Sequence, residues 1–200
     1  QYYPNGFKLT NKQIEKINDR FQFVSLTKLV SMDISSSQHV SFSAVSDDFV
    51  DTGVPFQERI TSRTIIQKIE LVEGHIWEKD SIKPEMIIDE KTAELIFGHK
   101  NVVGNKLPTR YGDLEIIGVV TSTNEREQRI AQATEAGQEI DETVYSTKAY
   151  ISFGYLSTLE DVETYNDTIV VRDTNISINE LKKKTKEILS VPLTDNSIVT

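Results

Sequence analysis

The side chains with the means to do chemistry are scattered along this 200-residue sequence. Its three histidines, His39, His75 and His99, lie far apart and form no i, i+4 pair. A metal site would need the fold to gather them with carboxylates, and as they stand they read as turn or strand-edge histidines. Ser46–Asp48 with Asp51 has the acidity of a calcium loop but lacks alternating oxygen ligands and a closing glutamate, so it reads as a solvated strand end. Two carboxylate pairs, Asp89–Glu90 and Glu125/Glu127, could serve acid–base work. The first is explained as well by the dipole of a helix start, the second by the solubility of a polar loop. "GHKNVVG" (Gly98–Gly104) lacks the Gly-Lys-Ser/Thr ending that holds phosphate and magnesium. The absence of cysteine removes disulfides, thiolate nucleophiles and Cys-ligated zinc together. The residues thus predict no catalytic group, no cofactor and no metal, and no enzyme.

Composition narrows the partners. Hydrophobic residues make up 38% and charged residues 26%, the balance of a globular chain. The net charge is −9, from 22 basic and 31 acidic side chains. With no basic surplus to neutralise phosphates, a nucleic-acid partner is not expected. No apolar run approaches the roughly 18–20 residues that span a bilayer, so the chain as given is expected to be soluble. Its start at Gln1, without a signal-peptide pattern, predicts a processed or excised piece.

The elements that would position any site are readable. Leu9–Phe21 predicts a helix with Thr10 and Gln13 as a capping box and Ile14, Ile17 and Phe21 on one face. Phe23–Met32 and Gln38–Ser46 alternate as two strands of a hairpin with one buried face, joined by a Ser-rich turn. Asp47–Gln57 reads as loop. Arg59–Gly74 fits helix or strand, with strand slightly favoured by its β-branched residues. Met86–Ile88 is a short strand. In "DEKTAELIFG", Asp89 caps a helix that packs through Ala93, Leu95, Ile96 and Phe97 and stops at Gly98. Strands "NKL" and "LEIIGVV" follow, turning at Tyr111-Gly112-Asp113. Ala149–Phe153 is a strand, Leu156–Val162 holds a helical turn, Thr168–Arg172 is a strand and Asn179–Leu189 a helix. That last helix sets Leu181, Ile188 and Leu189 against Lys182, Lys183, Lys184 and Lys186, read as a solvated face rather than a lipid-binding one. Trp77 reads as a core aromatic.

Thr123–Thr143 is polar and rich in Glu and Gln. It buries too little apolar area to offset backbone entropy of roughly 1–2 kcal/mol per residue. It is expected to be mobile alone and ordered against a partner or substrate, with an exposed helix over Arg126–Ala136 as the alternative. Glu125, Arg126, Glu127 and Arg129 are its candidate partner contacts.

Leu71-Val-Glu-Gly74, Asp80, "DEKTAELIFG", "VVGNKL" and "LEIIGVV", taken in order, resemble the periplasmic core domain of MacB-type ABC transporter permeases, which share an FtsX-like membrane part. The matching positions include Gly74, Asp80, Ala93, Phe97, Gly98, Gly104, Lys106, Ile117, Gly118 and Val119. His75 stands where the family usually has Arg, Ile96 where it has Leu, and Asn105 separates Gly104 from Lys106. The close match spans about 71–120. These are scaffold residues: the glycines end a helix and permit turns and close approach, while Phe97 and Ile117 pack.

The resemblance implies an α/β (α+β) domain in two parts. A larger, membrane-proximal subdomain would comprise 1–59 and 144–200, and a smaller inserted one 60–143, including the polar loop 123–143. Both termini would lie on one side, each continuing into a membrane helix. The implied function is the extracytoplasmic domain of a permease that couples ATP-driven movement of membrane helices to export of an extracytoplasmic substrate. The implied partners are a cytoplasmic ATPase subunit or domain and an extracytoplasmic adaptor or substrate. The full-length protein would be a homodimer and the fragment a monomer, at the cell membrane. An FtsX-like regulator of a peptidoglycan hydrolase and an antimicrobial-peptide-sensing ectodomain are the alternatives.

Overall fold

Met86, Ile87 and Ile88 are consecutive, apolar and fully buried. A strand apolar on both faces belongs at the centre of a sheet covered on both sides. The computed structural model describes residues 9–21, 23–32, 34, 40–47, 49–57, 64–122, 137, 148–172 and 175–189. Along the chain the elements are α1 (Asn11–Asn18), β1 (Phe23–Val30), β2 (Ser41–Val45), α2 (Phe49–Thr52), β3 (Val54–Gln57), β4 (Thr64–Gln67) and β5 (Ile69–Gly74). Then come β6 (Glu85–Asp89), α3 (Glu90–Phe97), β7 (Lys106–Thr109), β8 (Gly112–Ser122), β9 (Lys148–Ser152), α4 (Phe153–Leu156), β10 (Thr164–Arg172) and α5 (Ile178–Leu189).

The fold is α/β, built on one mixed eight-stranded sheet in the order β10-β1-β2-β9-β6-β8-β5, with β7 added to β8. Strands from the two ends of the chain fill one half of this sheet, and strands from the middle fill the other. The halves meet where β6 runs antiparallel to β9, over three register pairs: Met86↔Ile151, Ile87↔Tyr150 and Ile88↔Ala149. β3 and β4 form a separate two-stranded sheet.

Each face of the sheet carries its own apolar layer. Met86 and Ile88 face a cluster with Phe42, Ala93, Val102, Leu114, Ile116 and Tyr155, covered by α3 and α4. Ile87 faces the opposite way, onto Phe49, Trp77, Ile117, Val120 and Tyr150. A third cluster joins the described chain ends: Leu9, Ile17, Phe21 and Leu26 pack with Leu189, and Ile14, Leu181 and Ile188 flank them. Gln13 Nε2 donates to the Leu189 carbonyl at 3.0 Å, holding α1 against the end of α5.

The local signals account for most of these elements. Thr10 and Gln13 form the reciprocal capping box of α1. The hairpin β1–β2 is antiparallel, and 64–74, ambiguous in sequence, is two strands. Other readings are corrected. The supposed loop 47–57 contains α2 and the strand β3. β3 is a four-residue strand with Pro55 inside it, a signature too short and too interrupted to stand out. The helical turn sits at Phe153–Leu156, capped by Ser152, ahead of its expected place. In β1 Leu26 and Val30 are buried and Leu29 exposed, as alternation expects, but Thr27 is buried too, because it pairs with Val45, whose face is covered by the second apolar layer. The register shift opposite Lys28 and Leu29 places the extra residue, Asn166, on β10.

Candidate functional site

Two glycines bring β5 and β8 together. Gly74 lies opposite Gly118 in the antiparallel register. Gly74 has φ +76°, a conformation that favours glycine, and a Cβ there would overlap the Ile117 carbonyl oxygen. A Cβ on Gly118 would lie 2.7 Å from the His75 carbonyl oxygen. This close approach lets the His75 amide donate to the Ile117 oxygen at 3.0 Å. The His75 imidazole is exposed, and its Nδ1 donates to the Ile76 carbonyl at 2.9 Å.

α3 follows β6 without a linker. The Asp89 carboxylate accepts from the Lys91 amide at 3.0 Å as the N-cap, and burial raises its pKa above the ordinary 3.8 against the lowering effect of that bond and of Lys148. Ala93 is fully buried and Phe97 packs from the rim of the same cluster. Gly98 ends the helix in the left-handed conformation with φ 78°. Gly104 turns the chain with φ +85°, and its amide donates to the Ile116 carbonyl at 2.7 Å. The first turn of α3 also reaches both neighbours of β6. Glu90 accepts from the Thr121 hydroxyl of β8 at 2.9 Å and pairs with Lys100 at 2.9 Å. Thr92 Oγ1 accepts from the Lys148 amide of β9 at 2.7 Å.

At the opposite end of β6, the loop carrying Asp80 docks on the other half of the sheet. Asp80 has φ 57°, and its amide donates to Asp47 Oδ2 at 3.2 Å. The Trp77 indole N–H donates to Asp47 Oδ1 at 3.0 Å. Asp47, read from sequence as solvated, is thus a double acceptor clamping this loop. Trp77 is buried, as expected, and stacks on Phe49 with ring centroids 5.6 Å apart; Phe49 in turn meets Tyr150 at 5.3 Å. The Ser152 hydroxyl donates to the Ser81 carbonyl at 2.7 Å and accepts from the Tyr155 amide at 3.0 Å. Gly154 leaves room for this contact, since a Cβ there would sit 2.3 Å from the Ser81 oxygen.

The arrangement holds two half-sheets together. Asp89 and Glu90, the described carboxylate pair, are engaged in capping and in the bonds to Thr121 and Lys100. His75 and His99 are exposed, and His39 lies outside the described residues. Among the described residues no group of three or more His, Cys, Asp or Glu side chains is placed to hold a metal ion. No described helix is long and apolar enough to cross a membrane. Glu125, Arg126, Glu127 and Arg129 fall outside the described residues. Sequence reasoning missed Asp47, Thr92 and Ser152. Their partners lie from 30 to 71 positions away in the chain, where no local pattern could reveal them.

This fold has solved counterparts. The periplasmic region of MacB from Actinobacillus actinomycetemcomitans superposes with a TM-score of 0.58 at 14% identity, over 93% of this chain and 80% of that one. The extracellular domain of the ABC-type transporter YknZ from Gram-positive bacteria gives 0.59 at 16% identity, over 91% and 82%. No family model matches the chain, and no curated protein matches it by sequence. The fold is that of the extracytoplasmic domains of ABC transporter permeases.

Proposed function

We propose that the chain is the extracytoplasmic domain of an ABC transporter permease, passing ATP-driven movement of membrane helices to export of a substrate outside the membrane. The supporting observation is the fold, shared over nine-tenths of the chain with two transporter domains. The packing of Leu9 against Leu189 suits a domain whose two connections run to one membrane surface. In this reading 1–59 with 144–200 form the membrane-proximal part and 60–143 the inserted one. The support is that strands from the two stretches fill separate halves of the eight-stranded sheet, although the β3–β4 pair spans the boundary between them. The parent protein works as a homodimer with a cytoplasmic ATPase subunit or domain. Segment 123–143, with Glu125, Arg126, Glu127 and Arg129, meets an extracytoplasmic adaptor or the substrate. The domain itself carries out no chemistry.

The test replaces residues 9–189 in the full-length permease by a short Gly-Ser linker and measures ATP hydrolysis and cellular resistance to a panel of macrolides and antimicrobial peptides. Retained hydrolysis with lost resistance is expected. Undiminished resistance to every compound that the intact protein protects against would exclude a coupling role.

A further inference from the structure

The ladder joining the two halves of the sheet is short. β6 and β9 share three register pairs, against eight between β1 and β10. A ladder this short, loaded across its strands, is where the sheet would part first. Yet the structure fastens it at both ends. Beside Asp89 and Lys148, Thr92 Oγ1 takes the Lys148 amide, so the helix that follows β6 holds the start of β9. Beside Glu85 and Ser152, the Ser152 hydroxyl holds the Ser81 carbonyl, so the end of β9 holds the loop that leads into β6. Asp47, just after β2, holds that same loop twice, through Trp77 and Asp80. Ser152 is buried, with both its donor and its acceptor capacity used. Such a group loses more when a partner is removed than an exposed one would.

We infer that Asp47, Thr92 and Ser152 are positioning residues that lock the β6–β9 joint, so that the two half-sheets move as one rigid body. This rests on the coupling role proposed above and assigns it a load path. Within the eight-stranded sheet, movement entering through α1 and α5 crosses this joint to reach β6, β8 and β5, beside a second route through the β3–β4 pair that leads into β5.

The test has two arms. In the first, hydrogen exchange of the 200-residue chain is compared for wild type, Asp47→Ala, Asp47→Asn and Ser152→Ala. Thr10→Ala, which removes a cap distant from the joint, serves as a control for lost stability. Amides of Ile87, Ile88 and Tyr150 should exchange about tenfold faster in Asp47→Ala and Ser152→Ala. Asp47→Asn, which keeps one acceptor oxygen, should fall between, and Thr10→Ala should leave these amides as they were. Equal protection in all five proteins would overturn the proposal. So would acceleration in Thr10→Ala as large as in the joint variants, since the effect would then be general loosening. In the second arm the same substitutions are placed in the full-length permease. Reduced resistance with ATP hydrolysis kept within about twofold of wild type supports the load path. Faster exchange with full resistance would refute the load path while leaving the coupling role standing, since that role is tested separately by replacing residues 9–189.

Discussion

The residues that shape this domain do so by geometry more than by charge. Gly74 and Gly118 occupy positions where a methyl group would strike backbone oxygen, and backbone cannot swing aside as a side chain can. Gly74→Ala and Gly118→Ala should each cost about 3 kcal/mol or more in denaturant unfolding. Gly98→Ala, with open space around it and only its left-handed φ against it, should cost about 1 kcal/mol. Equal losses at all three would show that close approach of β5 and β8 is not the constraint. Asp89 adds a pH dependence of known sign. Its pKa is raised in the folded state by burial, so folding favours its neutral form. Its stabilising contribution is complete below the unfolded value and is lost as pH rises through the folded one. Asp89→Asn keeps a good N-cap but cannot ionise. Wild type should therefore gain stability relative to Asp89→Asn as pH falls from 7 to below about 4. A gap moving the other way would mean that the cap's bonds, not burial, dominate. Thr27 Oγ1 is buried with no hydrogen-bond partner among the described residues. Replacing it by Val should be neutral or stabilising by up to about 1 kcal/mol.

At the scale of elements, much was legible before any coordinates. Thr10 with Gln13, Asp89 with Gly98, and the Tyr111–Asp113 turn are local signals, because each joins residues a few positions apart whose backbone geometry depends on side-chain type. The apolar run Met86–Ile88 is legible as a short strand, whereas its cover on both faces comes only with the assembled layers. The neighbours of that strand were not legible. β9 inserts between β2 and β6, a choice made by long-range packing of Tyr150 on Phe49 and of Ile151 beside Met86. Asp47 could not be told from a solvated aspartate because its partners are Trp77 and Asp80. Gly98 ends α3 where the helix-stop signal puts it, while the β6–β9 joint emerges only from the assembled sheet. The polar segment 123–143 yields a prediction from composition alone. Deleting Glu127–Gln138 with a short Gly-Ser bridge should move the melting temperature by less than about 2 °C while impairing export by the full-length protein. A fall of about 10 °C would make the segment part of the core.

For the whole molecule, the described residues build one eight-stranded sheet, with α1 and α5 packed together against β1 and β10 and the far edge at β5. That layout, with two transporter domains of the same fold, supports a body that relays displacement from membrane helices. These 200 residues contain no cysteine, so one introduced here is the domain's single spin-labelling site once any cysteines elsewhere in the full-length protein are replaced. The decisive measurement puts that label at Glu73, exposed on β5, in the full-length protein, proposed above to be a homodimeric permease, in lipid nanodiscs. The distance between the two labels is then read by pulsed electron resonance without nucleotide, with ATP and with trapped ADP–vanadate. The coupling account predicts a shift of about 5 Å or more between nucleotide states, abolished by a substitution that blocks ATP hydrolysis when turnover is required. One unchanging distance distribution across all three states, in a protein that hydrolyses ATP and confers resistance, would contradict it.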